Sequence, residues 1–439
     1  MKKIKNLPES DFLKLFYLFL STVFLIGAVC MPDRGEMFSG LWKICSQPGK
    51  ISTNDFFVGG YAGTFLNVAL VGYFFTALFY ILKAPANNVS TLGFILTLGF
   101  CSWGITILNI LPTVLGVALF CLVRKESLSV NINATLFSTG IAPLINDLLI
   151  RYPNSEVVGF NLPGALIALA VGLAIGFFLP AGLAYAPNVH KGFDLYSAAV
   201  PVCFFAFFLN ALLYKTMGVA LPAAPDTETL QVASRMTVNV FCLTLFGACV
   251  VLALLLGCRW KDYKALLLSK EHVGSVSGKL GIPVFLMNFG LFGAFILAYY
   301  NLIGASFNGV TFGIIFCMLA TCNSGSHPKN VTPILLGYVA ASFLFAWLSK
   351  LVGGTFATAI NAQAIVVGVC YANGMSPVVS KYGWFWGFLA AVMHYVLVTS
   401  VPNLHGGFCL YNGGFTAAII CLLLVPELER FQARTVDQR

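Results

Sequence analysis

The residues best suited to chemistry in this chain come in pairs. Pro187-Asn188-Val189-His190-Lys191-Gly192-Phe193-Asp194-Leu195-Tyr196 returns as Pro402-Asn403-Leu404-His405-Gly406-Gly407-Phe408-Cys409-Leu410-Tyr411, so that P-N-x-H-x-G-F-x-L-Y stands twice. An imidazole titrates near neutrality and can bind a solute or relay a proton. His190 and His405, followed by Tyr196 and Tyr411, are placed for either task. The same string also suits a turn at a helix start: Pro-Asn initiates it, Gly gives backbone freedom and Tyr anchors at the membrane interface.

A second pair supplies backbone chemistry. Gly104, Asn109 and Pro112 share their spacing with Gly325, Asn330 and Pro333, and the second copy lies in the polar string Asn323-Ser324-Gly325-Ser326-His327-Pro328-Lys329-Asn330. If helices stop and restart here, their N-termini offer N–H groups and positive dipole ends to an anion or a solute carbonyl. The amides of Asn109 and Asn330, with His327 and Lys329, would add to such a site. A tight loop at the membrane surface would use the same Asn and Pro as turn formers. Asp147 is a further candidate, because an ionisable group in an apolar run is functional by default. After the shared Gly-x-[Ala/Ser]-Pro motif its equivalent is Lys381, and placement at an interface is the alternative for both.

What must position these groups is fixed by composition. Hydrophobic residues are 59% of the 439 and charged residues 9%, too few to clothe a soluble domain. Apolar runs recur near the length of about 20 residues that a helix needs to cross a bilayer, and they are continuous rather than alternating, which excludes a barrel. The net charge of +9 comes from scattered loop residues, so nucleic acid is not an expected partner. The 13 cysteines form no C-x-x-C or metal-spaced cluster and suit apolar packing; no metal or cofactor is expected. Lys2, Lys3 and Lys5 before an apolar run resemble a leader, but Glu9 and Asp11 interrupt it, so 12–31 is expected to be the first span.

The paired motifs are collinear and imply a duplication, with halves at 1–225 and 226–439. Apolar segments are expected near 12–31, 57–82, 89–103, 106–123, 130–150, 160–185 and 194–216, then near 236–257, 281–303, 309–323, 331–350, 355–379, 384–400 and 408–426. Seven segments per half is odd, so the halves should face opposite ways. With both termini cytoplasmic, 18 of the 25 basic residues fall inside, the orientation that the positive-inside rule selects. Gly172 and Gly176 predict a close helix-packing face, and His394, mid-span, an inter-helix hydrogen bond. No phosphate-binding loop, H-E-x-x-H or G-x-S-x-G is present.

The length, the paired halves and the P-N-x-H-x-G-F-x-L-Y string resemble a bacterial family of membrane proteins described only as a domain of unknown function in tandem. That resemblance implies no substrate and no functional residues. Gly407 to Ala417, with Tyr411-Asn412-Gly413-Gly414, is similar to the Gly- and Asn-rich turns of urea channels, also inverted repeats with broken helices; Ser197 stands where Asn412 does.

The expected fold is therefore all-α: a polytopic membrane protein of two inverted repeats with broken or re-entrant helices. Its expected work is moving a small polar or anionic solute across a bacterial inner membrane, with no catalytic residues. The lipid bilayer and the solute are the partners, with a coupling ion and further copies of the chain compatible additions. Two alternatives remain: an enzyme acting on a lipid through His190, His405, His327 and Lys329 at one depth, and a structural or sensory membrane protein.

Overall fold

The computed structural model describes residues 7–50, 53–223, 234–269, 272–356 and 358–437, and every regular element among them is helical. The junction between residues 225 and 226 lies outside the described residues, as do Lys2, Lys3, Lys5 and Lys270. In chain order, α1 (Glu9–Cys30) is followed by the short α2 (Met37–Cys45), then α3 (Asp55–Ile81), α4 (Asn88–Phe100) and α5 (Leu111–Arg124). A 3-10 turn at Ser138–Ile141 joins α6 (Ile132–Phe137) to α7 (Ala142–Ile150), and α8 (Leu162–His190) and α9 (Ala199–Leu209) complete the first series.

The second series opens with α10 (Arg235–Leu255), then the connecting pieces α11 (Trp260–Leu267) and α12 (Val276–Lys279), then α13 (Ile282–Leu302), α14 (Gly309–Leu319) and α15 (Pro328–Leu351). A 3-10 turn at Asn373–Met375 joins α16 (Gln363–Ala372) to α17 (Ser376–Tyr382), before α18 (Trp384–Val398) and α19 (Asn412–Asp437).

Seven of these helices are long and apolar enough to cross a membrane: α1, α3, α8, α9 with its continuation to Thr216, α10, α13 and α15. Large apolar side chains such as Leu122, Phe208, Met236 and Phe343 point outward, whereas Asn67, Asn288 and Asp147 are buried. That inside-out distribution suits lipid as the surrounding solvent, and the chain is an all-α polytopic membrane protein.

Small residues set how closely the helices approach. A Cβ on Gly176 would stand 2.0 Å from the Thr113 carbonyl oxygen and one on Gly172 2.3 Å from Pro112 Cβ, so α5 and α8 touch backbone to backbone as the G-x-x-x-G predicts. At the centre α4 meets α14. Ser102 Oγ, just past α4, donates to Gly309 O at the start of α14 (2.7 Å), and Asn323 Nδ2, past α14, reaches Thr91 Oγ1 at the start of α4 (3.5 Å). These equivalent helices therefore run antiparallel, crossing where Gly99 and Gly313 leave no room for a side chain.

Gly313→Ala should consequently lower the thermal unfolding midpoint in detergent, by the equivalent of about 1–3 kcal/mol for an overpacked contact. Its Cβ would meet the Gly99 carbonyl oxygen at 2.2 Å, which no rotamer relieves. Gly247→Ala, with nothing within 4 Å, is the control and should be neutral or stabilising.

The repeated loops are exchanged between the two series. Leu195 N donates to Gly374 O (3.0 Å) and Leu410 N to Gly140 O (2.9 Å). The Tyr196 ring covers Gly374 and the Tyr411 ring covers Gly140, each closer than 3 Å to where a Cβ would stand. Each loop thus seats on the helix interruption of the opposite series. A disulfide between Cys203 on α9 and Cys409 in the second loop adds a covalent tie, with Cα atoms 5.6 Å apart. This corrects the expectation that the cysteines serve apolar packing; it fits ten of the eleven free ones, which are buried, Cys30 being exposed.

Candidate functional site

The helix breaks are built on asparagine. Asn109 Nδ2 donates to Gly104 O (3.0 Å) and its Oδ1 accepts from Thr106 N (2.8 Å); Asn330 repeats this with Gly325 O (3.0 Å) and His327 N (2.9 Å). A second asparagine braces each turn from a neighbouring helix. Asn67 on α3 donates to the carbonyls of Cys101 and Ile105 (2.9 and 2.7 Å), and Asn288 on α13 to those of Cys322 and Ser326 (3.0 and 2.9 Å). Freed backbone groups in the apolar interior are thereby satisfied by side chains.

The breaks are accordingly internal, not surface loops, and the amides of Asn109 and Asn330 are committed to their own turns. The N-terminus of α15 is likewise occupied, since His327 Nδ1 accepts from Asn330 N (3.4 Å). Pro112 packs on Gly172, Pro333 is buried within α15, and Lys329 points outward. Asp147 is neutralised in place: Arg151 Nε and Nη2 hold its two oxygens at 2.7 and 2.8 Å, and the Tyr214 hydroxyl donates at 2.6 Å. His394 bonds to Tyr338 and to Gly413 O, the inter-helix role that its position predicts.

The paired histidines make the same turn but differ beyond it. His190 Nδ1 accepts from Asp194 N and His405 Nδ1 from Cys409 N, both at 3.2 Å. His190 Nε2 reaches Ser197 Oγ at 2.9 Å, whereas His405 Nε2 is buried without a partner. Tyr196 donates to Cys317 O (2.9 Å), while the Tyr411 ring lies tilted against that of Phe100, with centroids 5.3 Å apart.

A cleft of about 510 Å³ gathers polar groups from both series. Asn88, Asn133, His190, Asp194, Ser197, His272 and Ser324 line it, between apolar walls from Leu92, Phe137, Leu183 and Pro187. It opens at the end of the bundle where α1 begins, because the loop carrying His272 and Gly274 leads to Ser275 and Ser277, both bonded to Glu9 (2.8 and 2.6 Å). No lysine or arginine is among its described lining residues. Burial lowers the His272 imidazole to about 4, so at neutral pH that ring is uncharged.

At the opposite end lies a cavity of about 50 Å³, lined by Trp103, Ala364, Val367, Val398, Pro402, Leu410 and Asn412. Six of these seven occupy the repeat positions of cleft residues: Trp103 answers Ser324, Val367 Asn133, Val398 Leu183, Pro402 Pro187, Leu410 Leu195 and Asn412 Ser197. The same site therefore exists twice, open at one end and collapsed at the other. Two features fill the collapsed copy: the Trp103 indole, and a fold in the chain, since α8 runs unbroken to His190 whereas α18 stops at Val398 before a 3-10 turn at Val401–Asn403.

Of the candidate site residues expected from the sequence, only His190 lines the open cleft, and Tyr196 is buried; His405 and Tyr411 belong to the opposite end, and the break residues scaffold both. Asp194, Ser197, Asn133, Asn88 and His272 were missed. The signal for Asp194 was present within the repeated string, at a position where the copies differ.

A family described as "Protein of unknown function (DUF1576)" matches residues 33–215 and 261–430. No curated protein and no solved structure matches.

Proposed function

The chain belongs to this family, and from that premise, which carries no activity, we propose that it is a transporter or channel for a small polar solute, with residues 1–225 and 226–439 as inverted halves. The observation that carries the reading is the duplicated cavity, about 510 Å³ at one end and about 50 Å³ at the other. Secondary transporters built from inverted repeats work by exchanging the conformations of their halves about a site between them. One open and one collapsed copy of the same lining is what such an exchange requires.

The cleft's chemistry favours a neutral or cationic solute over an anionic one, since its described lining offers a carboxyl and amides but no lysine or arginine. We place the protein in the bacterial inner membrane with cytoplasmic termini, on the distribution of basic residues. The open cleft then faces the cytoplasm. A lipid-modifying enzyme has less support, because Lys329 points outward and His405 lies at the opposite end from His190.

Accessibility tests this without knowing the solute. In a Cys30→Ser background reconstituted in vesicles of known orientation, Asn133→Cys should react with an impermeant maleimide only from the side where α1 begins, and Val367→Cys only from the other. Conditions that raise one rate should lower the other. If Val367→Cys never reacts from its own side while Asn133→Cys always does, the asymmetry is fixed and the exchange is wrong.

A further inference from the structure

Asp194 is the one carboxyl among the described lining residues of the open cleft, and no described group forms an ion pair with it. Its residue is 2% exposed; Oδ1 accepts from Tyr196 N at 2.9 Å, and Oδ2 has no hydrogen-bond partner among the described residues.

The groups around it are occupied elsewhere or neutral. From α8, His190 accepts the Asp194 backbone N–H rather than donating to the carboxyl. Past α16, Gly374 leaves space for the carboxyl, whose Oδ1 would lie 2.6 Å from a Cβ there. On α17 the Lys381 ammonium sits over the rings of Phe193 and Tyr382, at 5.1 and 5.2 Å. On α19, Cys421 Sγ turns to Phe193 O and Glu429 pairs with Lys191.

Across the cleft, Asn133 Oδ1 is a second buried acceptor without a partner. A buried carboxylate with a single backbone N–H donor and no paired cation is too costly to persist as a bare ion. The repeat sharpens the point: the equivalent of Asp194 is Cys409, held in a disulfide, and that of Asn133 is Val367. The two acceptors therefore exist only in the open copy.

We infer that Asp194 is a cation site, taking one positive charge, a proton or a small monovalent cation, from the open cleft. The inference deepens the transport reading, because a charge bound in one copy of a two-state site is what couples ion movement to the exchange; the binding itself does not depend on that reading.

Full-length protein in proteoliposomes on a solid-supported membrane can be given a pH jump or a sodium jump at constant ionic strength, against N-methylglucamine. The wild type should displace charge on one of the two, which names the ion. Asp194→Asn, whose amide oxygen can still accept from Tyr196 N, should keep the wild-type unfolding midpoint and lose the transient, and Asp194→Glu should restore part of it. A wild type silent to both jumps, or an Asp194→Asn variant that displaces the same charge, overturns the site. Charge displacement that depends on Asp194 while the maleimide rates fail to exchange would instead leave the cation site standing and remove the transport reading.

Discussion

Arg151→Met is expected to lower the free energy of unfolding by about 3–5 kcal/mol, the penalty for leaving one member of a buried ion pair alone. Asp147 has no side-chain exposure and Arg151 has 3%, so water cannot take over from the lost guanidinium. The Tyr214 hydroxyl would remain as the single donor to the carboxyl. Arg151 also carries the backbone of Ala220 through Nη2 (3.0 Å), so its removal loosens the chain past α9 as well. Asp147→Leu combined with Arg151→Met removes both charges and should recover most of the loss. Denaturant titration of the purified protein in micelles would measure both, and equal stability of the single variant and the wild type would contradict the buried-pair account. Because this cluster lies apart from the cleft, solute flux per folded molecule should be unchanged.

Asn288→Leu should produce the second large effect. The side chain holds two carbonyls, Cys322 O and Ser326 O, in the turn that ends α14, and leucine leaves both buried without a donor. Each unsatisfied acceptor costs about 1–3 kcal/mol, well above the roughly 0.6 kcal/mol typical of one inter-helix hydrogen bond in a membrane protein. Asn67→Leu does the same to Cys101 O and Ile105 O. Asn288→Asp is the discriminating variant: it keeps the shape, loses the two donors and should be as damaging as leucine. If these variants unfold like the wild type, the breaks are held by something other than the amides.

The apolar segments were legible because bilayer thickness and helix rise leave little freedom in their length: 12–31 is α1 at Glu9–Cys30, 281–303 is α13 at Ile282–Leu302, and 384–400 is α18 at Trp384–Val398. The breaks were legible because glycine, asparagine and proline recur there at fixed spacing. Asn67 and Asn288 escaped notice because a single amide in an apolar run resembles a tolerated polar residue; their separation, the same as that of Asn109 from Asn330, was the missing signal. The cleft escaped for a different reason. Repetition marks what the halves share, which is scaffold, whereas the polar lining depends on where they diverge: Asp194 against Cys409, Asn133 against Val367, Ser324 against Trp103. His190 was found because it belongs to both classes, repeated in sequence yet exposed to the cleft in one copy alone.

The exchanged loops bear on how the molecule is made. Tyr411 covers Gly140 and Tyr196 covers Gly374, so the first-synthesised series leaves the ribosome with its own interruption bare and its loop without a seat. The loop has no seat until Gly374 has been translated, and the interruption at Gly140 stays open until residue 411, when nearly all of the later helices have already entered the bilayer. Lateral release of the early helices into lipid must therefore precede their final docking, and a chain truncated before Gly374 would present two vacant surfaces to the quality-control proteases of the membrane.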